Sequence, residues 1–430
     1  MYLLNKTIKA VGCAFALLLI SVLPAVAGLN SFQSYLSDQY QTDLHGFLEV
    51  RDGWRLDRDQ DEKEASIAEA RVQIDLSKDL NWAFLKLKSD FVGDLVTEEV
   101  VTDLRELNIA ASPFENVDIK AGRQILTWGT GDLLFINDLF AKDWKSFFIG
   151  RDDEYLKAPS DALKTSIYFD FANLDLVYIP LFNGSNFVDG SRLSYWNGLA
   201  GRIGDRSLTV QDEDLNRFGK DSEFAARLYK TVGSLELALY AYNGFWQTPE
   251  GVSTTNFHLI HPRLAVYGFS ARGPMAGGIA NIEAGYYDSE DHAGTDPYIR
   301  NSEVRFLSGL EHELGRDFTG GVQYYLEWKQ DYAEYVRHLL PGMKKADEYR
   351  SLFTLRLTKL LMNQNLTLGL FTYYSPSDND IYLRPKAKYK ITDQWTAEAG
   401  GNIFAGLNDY SFWGQFADNT NVYACLRWSF

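Results

Sequence analysis

The sequence predicts an all-β fold, a transmembrane antiparallel β-barrel of about 16–18 strands with one long loop folded into the lumen. Three observations in the 430-residue chain predict it. Segments alternating apolar with polar residues recur from end to end, as strands between two unlike environments do. The connections between them alternate short and long. Beyond residue 27 no apolar run is long enough for a helix to cross a membrane, the best being Leu176 to Phe182.

Met1 to Ala27 read as a secretory leader, with Lys6 and Lys9 ahead of an apolar run and Ala25-Val26-Ala27 at the cleavage position. The barrel is then expected over residues 28–430, starting at Gly28. Cys13 stands too early to be a lipidation cysteine. Removal of the leader leaves Cys425 alone, so no intrachain disulfide is expected.

Alternation starts near residue 47. Between residues 67 and 76, Ala68, Ala70, Val72, Ile74 and Leu76 oppose Glu69, Arg71, Gln73 and Asp75. Further runs centre near 87, 107, 120, 167, 177 and 227. At 234–242 Leu235, Leu237, Leu239 and Ala241 oppose Glu236, Ala238, Tyr240 and Tyr242. The rest centre near 267, 283, 307, 324, 354, 370, 385, 399 and 426. The total is about 18, an even number that leaves both termini at one end. Pro385 cannot donate to a ladder, so a bulge is expected there. In the last run Val422, Ala424, Leu426, Trp428 and Phe430 oppose Tyr423, Cys425, Arg427 and Ser429.

The short turns are read at Ser77-Lys78-Asp79, 113–116, 171–173, 232–233, Gly273-Pro274, 315–317, 362–364 and 392–393. The long connections between them include 125–160, 183–220, 244–260, 288–300, 331–347 and 406–419. A strand ending on Phe430 resembles the assembly signal of bacterial outer-membrane proteins. That resemblance implies outer-membrane lipids and the outer-membrane assembly machinery as partners. It also implies a bacterial outer-membrane location with the termini and short turns periplasmic.

A barrel this wide encloses more space than its own side chains fill. The connection 125–160 carries Trp128, Phe135, Phe140, Trp144, Phe147 and Phe148, too apolar to lie freely in water. It also carries Asp132, Asp138, Asp143, Asp152, Asp153 and Glu154. As the third connection of the long class it resembles the third loop of general porins, which folds inward and forms an acidic side of the constriction; the alternative is an external cap packed on its own aromatics. Gly122-Arg123-Gln124, Trp128-Gly129, Asp132 and Asn137-Asp138 also look like a segment of poorly characterised porin-like families. That likeness covers about twenty residues and carries no substrate with it. Arg123 falls on the apolar phase of its strand, so it is expected at the rim or after a bulge. Porins of this look are often homotrimers, though no residue here specifies a self-interface.

Basic residues gather on polar phases of the late strands: Arg350 and Arg356, then Arg384, Lys386, Lys388 and Lys390, then Arg427. Arg71 is expected to join them across the closure. Alternate strands lie about 10 Å apart, so these cations form one patch. Asp132, Asp138 and Asp143 are expected opposite Arg356, Arg384, Lys386 and Lys388. Such a pair of walls sets a transverse field across a narrow passage.

With 42 basic and 58 acidic residues the chain carries a net charge of −16, which disfavours a nucleic-acid partner. Much of the excess acid lies in loops, while bases slightly outnumber acids on wall-facing positions. The expected solutes are therefore small hydrophilic molecules, anionic or carboxylate-bearing. In architecture alone the chain resembles eighteen-stranded carboxylate-uptake porins. Two alternatives stay open: a saccharide channel using Trp128, Trp144, Tyr155, Trp246 and Trp413, or a plugged barrel with a structural or receptor role. His258 and His261 share a loop without an acid suitably close in sequence, Asn183-Gly184-Ser185-Asn186 reads as a turn, and Asp291-His292 sits in too large a barrel for a protease dyad. No enzyme activity, cofactor or metal is expected.

Overall fold

Each alternating segment becomes a strand because it can bury a polar face inside and leave an apolar one outside. The computed structural model describes residues 28–29, 31–57, 62–198, 200–206, 208–213 and 215–430. The expected leader, residues 1–27, lies outside the described residues. The first strands are β1 (Thr42–Arg55), β2 (Ala65–Asp79), β3 (Phe84–Asp94), β4 (Glu99–Phe114), β5 (Val117–Ile125), β6 (Pro159–Tyr168) and β7 (Asn173–Ile179). Next come a short pair, β8 (Tyr195–Asn197) with β9 (Arg202–Gly204), the long strands β10 (Glu223–Val232) and β11 (Leu235–Phe245), and a second short pair, β12 (Gly251–Val252) with β13 (Leu259–Ile260). The last are β14 (Arg263–Met275), β15 (Gly278–Ser289), β16 (Glu303–Gly315), β17 (Phe318–Lys329), β18 (Tyr349–Leu361), β19 (Leu366–Ser375), β20 (Asp380–Lys390), β21 (Trp395–Gly406) and β22 (Asn421–Ser429).

Setting aside the two short pairs in the loops, these strands form one 18-stranded antiparallel sheet. It closes on itself where β1 pairs with β22, from Phe47↔Ser429 to Arg55↔Asn421. Closure leaves no edge, so every strand finds both of its ladders inside the sheet. Sequence neighbours are ladder neighbours throughout, and the parity of the connections follows. Chain ends and short turns share one rim, and the long loops share the other.

Burial is inverted relative to a water-soluble fold. Along β11, Leu237 (41% exposed) and Leu239 (58% exposed) face out, while Ala238, Tyr240 and Tyr242 face in and are buried. Val322, Leu368, Ile282 and Leu228 repeat the pattern around the barrel. Aromatic pairs border this apolar belt, Phe169 and Phe171 stacking at the turn rim (5.3 Å) and Trp328 and Tyr349 at the loop rim (5.8 Å). The inside is lined by Arg, Lys, Asp and Glu.

Three local readings change. Residues 77–79 continue β2, and the chain turns at 80–83, where Asn81 takes a positive φ of 67°. Gly273-Pro274 stays within β14, and the turn falls on Ala276 (φ 52°) and Gly277 (φ 79°). Pairing runs on until residues that accept a positive φ reverse the chain. Pro385 makes no bulge. The β20–β21 ladder omits Arg384 and Pro385 yet resumes in unchanged register, from Leu383↔Ile403 to Lys386↔Gly400, while the ladder to β19 is unbroken. The missing donor therefore interrupts one ladder without inserting a residue. A true bulge occurs in β4, where Arg105 has no opposite number between Lys88↔Glu106 and Ser89↔Leu104.

At the seam the terminal Phe430 exchanges backbone hydrogen bonds with Gly46 (3.0 and 3.1 Å). Its ring occupies the space a side chain at position 46 would need, an ideal Cβ there lying 2.6 Å from the ring and in collision with the Gln73 carbonyl. A helix over residues 31–40, α1, leads into β1, and its Gln33 Nε2 donates to the Leu44 carbonyl (2.9 Å). Overpacking of this kind costs about 1–3 kcal/mol. Gly46→Val is thus expected to lower the unfolding temperature and to reduce the fraction that keeps the compact electrophoretic mobility of the folded barrel in unboiled samples. Unchanged mobility and melting would show that the seam does not depend on Gly46.

Candidate functional site

The chain between β5 and β6 runs through the inside of the barrel. Its apolar residues find cover there, and its backbone is fastened by wall side chains at successive points. The first is Glu283, buried at mid-strand on β15. One of its carboxylate oxygens accepts from the backbone N–H groups of Thr130 and Gly131 (2.8 Å for Gly131). The other accepts from Asn137 N (3.3 Å) and Asn137 Nδ2 (3.0 Å). Gly129, at φ 82°, permits this approach, since a Cβ there would sit 3.1 Å from Glu283 Oε1. Asn281 Nδ2 adds a bond to the Thr130 carbonyl (3.0 Å), and the Tyr287 hydroxyl donates to the Ile136 carbonyl (2.5 Å).

Further round the wall, Gln323 on β17 brackets Asp132, accepting from its N–H (2.8 Å) and donating to its carbonyl (2.9 Å). Arg356 on β18 grips the Asp132 carboxylate through Nε and Nη2 (2.6 Å for Nη2), a two-point, charge-assisted contact. The Tyr373 hydroxyl on β19 donates to the Leu133 carbonyl (3.0 Å). Residues 130–137 therefore lie along β15 to β19.

The loop then crosses the lumen. Asp138 holds Lys142 (3.0 Å) and accepts from the Thr127 hydroxyl (2.8 Å). Burial pushes the Lys142 ammonium below its ordinary value even with Asp138 beside it. Asp143 caps the short helix α2 (Trp144–Ile149), accepting from Ser146 N (2.8 Å). The helix buries Phe147 and Phe148 against Tyr382, Phe404 and Phe416, with ring centroids 4.9–6.0 Å apart.

Residues 150–157 descend on the far side. Arg51 donates to the Gly150 carbonyl (2.6 Å), and Arg151 pairs with Glu69. The Tyr155 hydroxyl donates to Asp90 (2.6 Å), and its ring lies under the guanidinium groups of Arg71 (4.2 Å) and Arg105 (4.8 Å). The bulge in β4 supplies that Arg105. Asp153 faces the last strands, pairing with Arg384 (2.8 Å) and Lys386 (3.4 Å). Burial alone would push the Asp153 carboxyl up, but those two cations outweigh it and hold it down at about 2. Asp152 stands near Lys388 (4.0 Å) and Arg427 (3.8 Å), and Arg427 is bound to Glu49 (2.7 Å).

The expected residues therefore divide. Arg356, Arg384 and Lys386 come together with Asp132 and Asp153 at hand, and most of them border a small cavity of about 40 Å³ beside Leu133 and Phe371. Lys388 and Arg427 flank it through Asp152. Arg350 sits nearer the loop rim with Glu327 (3.5 Å) and Asp378 (2.7 Å). Arg71 lies on the other wall, locked between Glu69 and Asp90. Of the three loop acids expected opposite the bases, Asp132 reaches them, whereas Asp138 and Asp143 turn into the loop itself. Trp128 packs on Phe140 (5.0 Å), and Trp144 packs among Phe135, Phe147 and Phe148. Arg123 stands at the outer rim with Asp161 (3.1 Å). His261 bonds the Trp246 carbonyl (2.8 Å), and among the described residues no three metal-ligating side chains converge.

Sequence reading missed the anchors Glu283, Gln323, Glu69, Asp90 and Tyr155. A signal existed for Glu283, an acid on the inward phase in the middle of a strand. Nothing along the sequence says that its partners are backbone groups of a loop about 150 residues earlier.

No family model matches the chain, and no curated protein matches it. Among solved structures it is similar to OccAB1 of Acinetobacter baumannii, at TM-score 0.55 and 9% identity over 91% of this chain and 97% of that one. It is also similar to OccK11 (OpdR) of Pseudomonas aeruginosa, at TM-score 0.50 and 10% identity over 90% and 95%. A Rhodopseudomonas blastica porin matches at TM-score 0.40 and 10% identity over 90% and 100%, too loose to carry weight. At such identities the likeness is one of fold.

Two outcomes are expected. Glu283→Ala strands four loop donors, each unpaired group costing roughly 1–3 kcal/mol. The folded variant should be cut by chymotrypsin within 126–142 where the parent resists, and equal resistance would count against Glu283 as the anchor. The second concerns pH. A carboxyl lowered on folding contributes stability that is full above its unfolded value of about 3.9 and is lost as pH falls through its folded value. The Asp153 contact, held at about 2, should therefore leave protease resistance near 153 flat from pH 8 to pH 4 and weaken it only below. A change near pH 6 would refute this.

Proposed function

We propose that the chain is a bacterial outer-membrane channel for passive, weakly selective passage of small solutes, with its termini and short turns on the periplasmic side. The observation that carries the reading is a closed barrel, apolar outside and charged inside, whose lumen is narrowed by an inserted loop. A barrel with that outer face has bilayer as its natural solvent. The fold shared with OccAB1 and OccK11 supports the same reading at the level of architecture.

Selectivity is assigned to the basic strip of β18 and β20. Arg356, Lys386 and Lys388 keep 35%, 32% and 44% of their side-chain surface exposed beside Asp132, Asp153 and Asp152, whereas Lys390 pairs with Asp393 in the following turn (2.7 Å). Charges that stay wet beside an otherwise filled lumen are the ones a passing ion meets, and they favour anionic, carboxylate-bearing solutes. A second reading, a plugged barrel, is favoured by the density of loop anchors and the small size of the cavity at the strip.

Conductance in a planar bilayer under a KCl gradient separates these. The parent should show stable open steps with a reversal potential favouring chloride, and Lys386→Ala with Lys388→Ala should shift that potential towards zero. An ion-tight parent would support the plug. Open steps with an unchanged potential would remove selectivity from the strip.

A further inference from the structure

Above the inserted loop, towards the long-loop rim, lies a cavity of about 340 Å³ that the channel reading leaves without a role. We infer that it binds the ring of an aromatic or alicyclic solute, recognised by its apolar faces and not by its charge. This rests on the channel reading for its place on a route, but not for the site itself.

The walls come from separate parts of the chain. Phe135 and Trp144 belong to the inserted loop, Trp246 follows β11, Tyr325 and Tyr373 stand on β17 and β19, and Phe412 lies between β21 and β22. Aromatics inside a protein usually fill a core, and Phe148 with Phe404 and Phe416 does so here. Trp246, Tyr325 and Tyr373 belong to that same core, with Phe135 and Trp144 packed against it, yet together with Phe412 they also border open space. Well-packed interiors leave few voids larger than a water molecule, whereas small-molecule sites have volumes of about 300–1,000 Å³ with mostly apolar walls and a few polar groups. Phe412 is 43% exposed, so a wall residue keeps an accessible ring.

Charge at the cavity is largely matched, with Arg350 Nη2 a buried donor left without a hydrogen-bond partner among the described residues. Arg300 meets Glu250 (3.0 Å), Glu303 (2.9 Å) and Glu327 (3.4 Å). Arg350 meets Glu327 (3.5 Å) and Asp378 (2.7 Å), and Lys142 meets Asp138 (3.0 Å). An anion entering would have to compete with these carboxylates, so charge gives it little advantage. A sugar would find partners at Ser185, Gln247, Thr248 and Gln415, but the wall is mostly apolar and would leave the rest of its hydroxyl groups unpaired. An apolar ring loses nothing of that kind and gains offset or edge-to-face contacts.

The cavity also lies between the mouth and the basic strip. Glu250, Arg300, Glu327, Arg350 and Phe412 line both it and an outer vestibule of about 500 Å³. Leu133 lines both it and the small cavity at Arg356 and Arg384. A ring held here would pause just outside the strip.

The test uses the full chain purified in detergent, with tryptophan emission followed during titration, since Trp144, Trp246 and Trp413 line the cavity. Benzamide and benzoate should each give saturable quenching with affinities within about threefold of one another. Phe412→Ala and, separately, the conservative Trp246→Phe should weaken both by about three- to tenfold. Succinate and glucose should give no saturable change. Benzoate binding more than tenfold tighter than benzamide, or competition by succinate, would overturn the proposal in favour of charge recognition. Saturable glucose binding would overturn it in favour of a saccharide site. Ring binding unaffected by either substitution would place the site elsewhere and overturn it too. In the bilayer, a conducting barrel whose current benzamide leaves untouched and whose emission does not respond would sink this site while sparing the channel. An ion-tight barrel that still binds benzamide would do the reverse.

Discussion

A loop without regular secondary structure can live inside a barrel only if its backbone polar groups are met by the wall, and Glu283 is where this requirement is most concentrated. One buried carboxylate takes four donors from residues 130–137. Bonds to a charged acceptor are roughly twice as strong as neutral ones, and they leave no amide stranded. Asp132 then falls in front of Arg356, and Leu133 in front of Tyr373. The empty space of the lumen is thereby split into an aromatic cavity on one side of the loop and a basic one on the other.

The two walls of the lumen use charge differently. Around β1 to β3, Arg51, Arg71, Glu69 and Asp90 are almost fully buried and paired with one another or with the descending loop. Burying such pairs gains little stability over apolar packing, because desolvation offsets attraction. Their effect is positional: an arginine with two carboxylates in fixed places admits few loop conformations. On the wall at β18 and β20, Arg356, Lys386 and Lys388 stay partly in water, while Arg384 is buried against the loop. Residue types are similar on both walls, and exposure is what separates them.

The barrel was legible because its information is local and periodic. Each of the 18 expected runs is a strand. Alternation reports two environments without regard to what fills them. The turns at 77–79 and 273–274 were misjudged by a few residues, since where pairing stops depends on the neighbouring strand, and the bulge expected at Pro385 does not form. Inside the site, Arg356, Arg384 and Lys386 could be grouped from their shared phase and strand spacing. Arg71 could not be separated from them, because a face repeats every two residues whichever part of the lumen it looks into.

By itself the sequence determined a barrel of about 16–18 strands, the inward and outward faces, the common end of the two termini, and the loop that is the candidate to enter the lumen. These follow from period-two alternation, parity and apolar content, all properties of neighbouring residues. Tertiary structure alone decided which acids face the bases, Asp132 and Asp153 doing so while Asp138 and Asp143 turn inward. It also decided that Glu283 holds the loop and that six distant aromatics border an open cavity. Those outcomes depend on how an irregular segment meets a closed wall across distances of a hundred residues or more, and no periodicity along the chain encodes such a meeting.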